Sequence, residues 1–365
     1  PHDSLTDMAA PTPPSPPPSQ PSPRDSTTRR DSTTPPDSTT PAAEPQVTVV
    51  VITYRGADLL PDCLASLTAQ TAPHRLLVVD NASTDGSAAV LAQRVPAQDV
   101  IRLPVNTGFA GGVAAALPLV RTRFCALLND DAVADPDWLA QLLAAACGDD
   151  LAAAWTSLMV LADRPGTVNN LGVGVDEHWY GIDVGADLPV ERIDPGIADV
   201  FGFCGGAALL RTAAVRAVGG FPAEFFLYYE DLDTSWRLRL AGWSIRAVPA
   251  ARVVHRHAAT SDRRSELFHF HNERNRLFTL LRCAPSRVAA TQIARFALTT
   301  GSLALARMLR RQIPEEQNFR VRLRVRVLAA VLRQGPHTVL RRPGTRESRR
   351  AVAGRAMTRT SEPVA

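Results

Sequence analysis

Between residues 47 and 161 the chain alternates between apolar β-rich runs and stretches with helical spacing. VTVVVITY (47–54), HRLLVVD (74–80), DVIRLPV (99–105), RFCALLND (123–130) and AAAWTSLMVL (152–161) read as strands. DLLPDCLASLTAQ (58–70) and TDGSAAVLAQRV (84–95) read as helices, with Thr84 or Asp85 able to cap the second. The Gly-rich NTGFAGGVAAAL (106–117) reads as a loop that lets backbone approach a ligand. Strands separated by helices predict an α/β fold, a parallel sheet covered by helices.

The pattern then loosens into a loop-rich insertion that runs to 199. GFCGGAALLRTAAVRAVGGF (202–221) predicts a glycine turn, an apolar run and a helix stopped by Gly219 and Gly220. DLDTSWRLRLAG (231–242) predicts a helix, and WSIRAVPAARVVHRH (243–257) a strand pair or a strand and turn. Two further helices are expected after residue 265, the second over 285–312. In FRVRLRVRV (319–327) arginine falls at every second position, so both an extended and a helical reading stay open.

Composition sets the limits of this pattern. Residues 1–45 are dominated by Pro, Ser, Thr and Asp, and DSTT recurs at 25–28, 31–34 and 37–40. Such a segment buries too little apolar surface to offset its ordering entropy, which predicts a disordered arm. The organisation expected is therefore an arm over 1–45, a catalytic domain over 46–265, a basic helical extension over 266–340 and a disordered tail over 341–365. No secretory signal and no run long enough to span a membrane is visible, and a cytoplasmic location is expected. The five cysteines are scattered with no CxxC pair and read as free thiols.

Charge narrows the chemistry. All 40 basic residues are arginine, so Schiff-base chemistry and a phosphate-binding loop lysine are excluded. Phosphate must be held by metal, Arg or backbone N–H groups. Residues 282–365 carry 18 arginines against four acids, whereas the rest of the chain is net acidic. This stretch predicts an anionic partner. Lipid fits better than nucleic acid, because only Phe296 and Phe319 could stack on bases.

The candidate chemistry sits where apolar runs end. Asp80 closes one, Asn129, Asp130 and Asp131 close another, and Glu230 and Asp231 follow FFLYY (225–229). Carboxylates at the carboxyl ends of parallel strands face the crevice in which α/β sheets bind ligands. Adjacent buried carboxylates need a counter-charge, and a divalent cation on a diphosphate supplies one. The pattern points to an enzyme that handles a nucleotide-activated substrate. Each residue also has a plainer role: Asp80–Asn81 as a turn, Asp85 as a helix cap, Asp130–Asp131 as a cap for DPDWLAQLL, and Asp233–Arg237 as an i,i+4 ion pair.

Taken together, ITYRG, VVDNASTDGS, NTGFAGG, LLNDDA, YYEDLDTSWR and VVHRH, in this order over roughly 47–280, resemble the family 2 glycosyltransferases, in particular their rhamnosyltransferase-like members. The resemblance implies a glycosyltransferase A-type fold, a nucleotide-diphosphate sugar donor, Mg²⁺ or Mn²⁺, and inversion at the anomeric carbon. It implies that Thr53, Tyr54 and Asp80 cradle the nucleotide, that Asn106 and Gly108 line the donor site, that Asp130 faces the ribose or sugar, and that Arg274 stabilises the leaving diphosphate. It implies Asp131 and His255 as metal ligands, Gly205 and Gly206 in the acceptor pocket, Asp231 as general base and Glu230 as the residue that orients it. His257 stands where related sequences have Gly, and Pro222 where they often have Asp. A sugar-phosphate nucleotidyltransferase and an inactive glycan-binding relative are the rival readings.

Overall fold

The computed structural model describes residues 44–256 and 264–357. Most of the expected arm, His257 and the last residues of the expected tail lie outside the described residues. The chain begins with β1 (Val47–Thr53), α1 (Leu60–Thr68), β2 (Arg75–Asp80), α2 (Ser87–Arg94), β3 (Val100–Arg102) and α3 (Gly108–Ala116). It continues with β4 (Phe124–Asn129), β5 (Ala132–Ala134), α4 (Trp138–Ala146), β6 (Ala152–Leu161), β7 (Val168–Asn170), β8 (Val173–Val175), β9 (Gly181–Asp183) and β10 (Ala198–Asp199). β11 (Ala207–Arg211), α5 (Thr212–Ala217), α6 (Glu230–Leu240), β12 (Ser244–His255), α7 (Glu266–Cys283), α8 (Ser286–Met308), α9 (Val321–Leu340) and α10 (Arg349–Ala356) complete it.

The main sheet has the order β10-β12-β6-β11-β4-β1-β2-β3, with β5 on β12 and β7 on β6. β1 pairs in parallel with β2 and β4, and β2 with β3. β11 runs antiparallel between β4 and β6, so β6 and its parallel neighbour β12 share the direction of β1. This is the mostly parallel α/β architecture that the alternation predicts. All seven residues of β1 are buried, as a central strand covered on both faces requires. One apolar layer, including Leu60, Leu67 and Trp138, packs on one side of the sheet. A second, including Val113, Leu158 and Phe203, packs on the other.

Parallel register sets where the acids lie. Ile52 pairs with Asn129, and Thr53 with Asp80. The ends of β1, β2 and β4 are thus level, and the polar breaks after them open on one edge of the sheet.

Three segments differ from expectation. NTGFAGG is largely helical rather than a loop: Gly108 opens α3 at φ +70°, and a side-chain carbon on Gly112 would meet Ile52 Cγ2 at 2.7 Å. Small residues let this helix lie directly on β1. FRVRLRVRV resolves as helix, because Leu323 and Val327, one turn apart, are both buried in α9. Arg324 is buried with them, stacked 3.9 Å from the Phe296 ring, while Arg322 and Arg326 are exposed. The expected disordered tail is also corrected in part, since 349–356 form α10. Arg349 donates to the carbonyls of Arg282 and Cys283, both at 2.9 Å, and Arg346 N donates to Leu240 O at 2.8 Å. Part of the arginine-rich stretch expected to face an anionic partner thus satisfies open carbonyls at the ends of α6 and α7.

A third apolar cluster joins α6, α7, α8, α9 and α10 through residues such as Trp236, Phe278, Phe296 and Val352. The basic extension is therefore packed on the catalytic domain. No described helix is long and apolar enough to cross a membrane.

Candidate active site

A cavity of about 620 Å³ lies over the level strand ends. Its wall includes Tyr54, Asn106, Gly108, Asp130, Asp131, Gly205, Gly206, Glu230, Asp231 and His255. Ten residues expected at the site thus meet in one cleft. Thr53 lies fully buried at the end of β1, beside the Asp130 carboxylate and not on the wall. Asp80 is also absent from the wall. It accepts from Ser83 N at 2.9 Å and sits 3.9 Å from Arg102 Nε, which is its turn-forming role. Arg274 is not brought to the cavity. Its Nε donates to Asn275 Oδ1 at 2.9 Å, and its Nη2 to Glu224 O at 2.8 Å and Phe225 O at 2.9 Å.

On the strand-end side, Asp131 Oδ1 stands 3.0 Å from His255 Nε2. The ladder between β12 and β5, which pairs His255 with Ala132, brings them together. His255 Nδ1 is 2.8 Å from Asn169 Oδ1, which fixes the ring and leaves Nε2 facing Asp131. A carboxylate oxygen and an imidazole nitrogen are suitable donors for Mn²⁺ or Mg²⁺. With metal–ligand bonds of about 2.1 Å, adjacent corners of an octahedron are about 3.0 Å apart, so the observed pair fits two of them. Among the described residues no cluster of three His, Cys, Asp or Glu side chains gathers. The neighbouring Asp130 carboxyl is pushed up to about 6, first by burial and then by the Asp131 charge.

The opposite side is acidic in a different way. Glu230 and Asp231 start α6, where the free N–H groups favour negative charge. Asp231 Oδ2 accepts from Gly205 N at 3.1 Å and Oδ1 from Leu232 N at 2.7 Å. Each oxygen keeps a further lone pair for a proton. Burial pushes the Asp231 carboxyl up to about 6. The two N–H bonds hold it down, and the Asp183 charge across the cavity adds to the rise. Glu230 is pushed well up, by burial and by the Asp231 charge, and its Oε2 is buried without a hydrogen-bond partner. Both carboxyls of the pair are thus held above the usual carboxylate range, first of all by burial. Asp233 and Arg237 form the buried ion pair expected of them, at 2.7 Å.

The loop-rich insertion supplies residues that sequence reasoning missed. Asn169, Asn170 and Asp183 all line the cavity, and Asn170 Nδ2 donates to Asp183 Oδ1 at 2.6 Å. The β8–β9 hairpin is fixed by Tyr229 Oη, which accepts from Gly181 N at 2.7 Å. The local sequence VNNLGVGVDEHWYGID offers only paired asparagines as a signal. Asn81 on β2's trailing turn likewise bridges to α3, accepting from Thr107 N at 2.8 Å and donating to Gly108 O at 2.9 Å.

Comparison with known proteins agrees with this geometry. Residues 48–171 match the family model described as glycosyl transferase family 2, and 125–277 that of glycosyl transferase family group 2. The chain is 28% identical over 239 residues to the N-acetylglucosaminyl-diphospho-decaprenol L-rhamnosyltransferase of Mycobacterium tuberculosis, covering 59% of this chain and 77% of that protein. It is 29% identical over 217 residues to the pre-mycofactocin glycosyltransferase of the same organism, covering 58% of this chain and 43% of that protein. A solved structure of GalNAc-T7 with UDP, GalNAc and Mn²⁺ superposes with a TM-score of 0.54 at 12% identity, over 82% of this chain and 58% of that one, a likeness of fold.

Proposed function

We propose, from the premise that the chain belongs to the family 2 glycosyltransferases and has their A-type fold, that it moves L-rhamnose from a thymidine diphosphate donor to a lipid-linked glycan with inversion. The observation that carries this reading is the shared cavity: the Asp131–His255 pair and the Glu230–Asp231 pair face the same cleft. The relative from M. tuberculosis, whose name specifies rhamnosyl transfer to a polyprenyl-linked sugar, supports the choice of donor and acceptor.

In this mechanism the donor lies along the ends of β1 and β4, with its diphosphate beside Asp131 and His255. Those two residues would hold Mg²⁺ or Mn²⁺, which when bound offsets the charge of the departing diphosphate. The acceptor hydroxyl lies against Asp231. Its oxygen attacks the anomeric carbon, the bond from that carbon to the diphosphate oxygen breaks, and Asp231 takes the hydroxyl proton. A carboxylate with its pKa raised to about 6 is ionised at neutral pH yet more basic than an exposed aspartate. Glu230, next to Asp231 at the start of α6, orients the base or the acceptor. Asn106, Gly108 and Tyr54 line the donor side of the cleft, and Gly205 and Gly206 the acceptor side.

The reading extends to a lipid surface at the cytoplasmic face of a membrane. α8 turns Leu298, Leu305 and Met308 outward, each more than half exposed, with Arg287 and Arg295 on the same side. An apolar stripe flanked by arginine suits an anionic bilayer.

The test is a donor screen. The protein is incubated with Mn²⁺, a GlcNAc-diphospho-polyprenol and, in separate reactions, dTDP-L-rhamnose and UDP sugars. The account expects dTDP release with a rhamnosylated lipid. Release of a nucleoside triphosphate on addition of diphosphate would indicate a nucleotidyltransferase. Binding of sugar with no consumption of any donor would indicate an inactive glycan-binding protein.

A further inference from the structure

The segment that delivers Glu230 and Asp231 takes an unusual course. Phe226 has φ 66° and ψ −64°, and Leu227 N donates to Phe225 O at 2.8 Å, which is a γ-turn of the rarer, strained hand. Tyr228 and Tyr229 follow at φ 68° and 69°, and α6 begins at the next residue. Bulky side chains rarely adopt these angles, and they persist only where the surroundings over-determine them.

The surroundings that do so come from α7. Asn275, fully buried, points its Nδ2 at Phe225 O (3.0 Å), Leu227 O (2.8 Å) and Tyr228 O (2.7 Å). One amide has two hydrogens, so the three carbonyls share them. Arg274 Nε donates to Asn275 Oδ1 at 2.9 Å, which orients the amide so that its NH₂ faces the turn. Arg274 Nη2 also reaches Glu224 O and Phe225 O, and His271 Nδ1 lies 3.1 Å from Phe225 O. The Phe226 carbonyl points the other way and accepts from Ala110 N at 3.1 Å, at the start of α3. Gly108 is needed there, since a Cβ on it would sit 2.0 Å from that carbonyl oxygen.

We infer that Asn275 is a positioning residue: it locks the left-handed course of Phe225–Tyr229 and thereby sets where Asp231 stands in the cavity, without itself touching the reacting atoms. The inference rests on the reading of Asp231 as the base. It replaces the expectation that this part of α7 serves the diphosphate.

The test uses Asn275→Ala in the full chain, with release of dTDP from dTDP-L-rhamnose as the activity and dTDP–Mn²⁺ titration as the binding readout. The expected result is a fall in kcat of about 100-fold, with donor KM and dTDP affinity within about threefold. The acid limb of the kcat profile should move to lower pH as the loosened turn lets water reach Asp231. Amide hydrogen exchange should rise over 226–231 and stay unchanged in β1 and β4. A kcat within threefold of wild type, or a kcat loss matched by lost dTDP binding, overturns the inference. If Asn275→Ala does not fold, Arg274→Ala carries the test, with the same split at about tenfold. If the wild type consumes no dTDP-L-rhamnose, the functional reading fails by itself, and exchange over 226–231 decides the positioning claim: an unchanged pattern refutes it.

Discussion

The two sides of the cavity are built by different means. The strand-end side is made by register: β1, β2 and β4 run in parallel, their ends are level, and whatever polar residue follows each apolar run arrives at the cleft. The acidic-pair side is made by restraint. A strained turn is held between the N-terminus of α3 and three polar side chains of α7, nearly 50 residues further along the chain. The first arrangement tolerates substitution that keeps the sheet intact. The second depends on a few buried hydrogen bonds, each of which is costly to leave unmade.

The largest expected effect lies on the restrained side. Asp231→Asn should lower kcat by about 10³-fold while dTDP affinity stays within about threefold, because general-base removal costs about 10²–10⁴-fold. The same change should stabilise the fold above pH 6. A carboxyl raised by burial binds its proton more tightly folded than unfolded, so stability is lost as pH rises from about 4 through about 6. Asparagine carries no such penalty, so its melting temperature at pH 8 should exceed the wild-type value and match it more closely at pH 4. The wild-type kcat should itself rise with pH through about 6, as Asp231 ionises.

On the register side, Asp131→Ala should abolish the gain in dTDP affinity that Mn²⁺ provides, about 100-fold by titration, with the fold unchanged. Losing one partner on each side would therefore separate binding from turnover. A loss of turnover without loss of Mn²⁺-dependent binding in Asp131→Ala would break the comparison. Asn169→Ala, which removes the Asn169 hydrogen bond to His255 Nδ1, should weaken Mn²⁺-dependent binding by about tenfold, the usual size of an outer hydrogen bond to a metal-binding histidine. The smallest effect is expected far from both sides. Leu298→Ser with Arg295→Ser should reduce flotation with phosphatidylglycerol vesicles a few-fold and leave donor hydrolysis in solution unchanged.

What could be read from the sequence follows the same division. Asp130 and Asp131 were legible because an apolar run that ends in acids has few places to go in an α/β sheet, whereas FFLYY before Asp231 forms a turn and no strand, so Asp231 was marked by the family resemblance. The helix in NTGFAGG was not, since Gly112 there serves close packing on Ile52 and Gly108 close approach to the Phe226 carbonyl, which the sequence does not distinguish from a flexible loop. Asp80 and Arg274 read as ligand-binding residues, and neither lines the cavity: Asp80 Oδ1 accepts from Ser83 N, and Arg274 Nη2 donates to the carbonyls of Glu224 and Phe225. Asn169 and Asp183 lie in short strands whose pairing is set by the folded sheet, and no local period marks them. The positive φ values of Phe226, Tyr228 and Tyr229 run against the preference of each residue, so only the tertiary clamp on that turn produces them.

The most direct test is the single-turnover rate of sugar transfer by Asp231→Asn with saturating dTDP-L-rhamnose and Mn²⁺. The account predicts full donor binding and a transfer rate at least about 100-fold below wild type. A wild-type rate from that variant would contradict it.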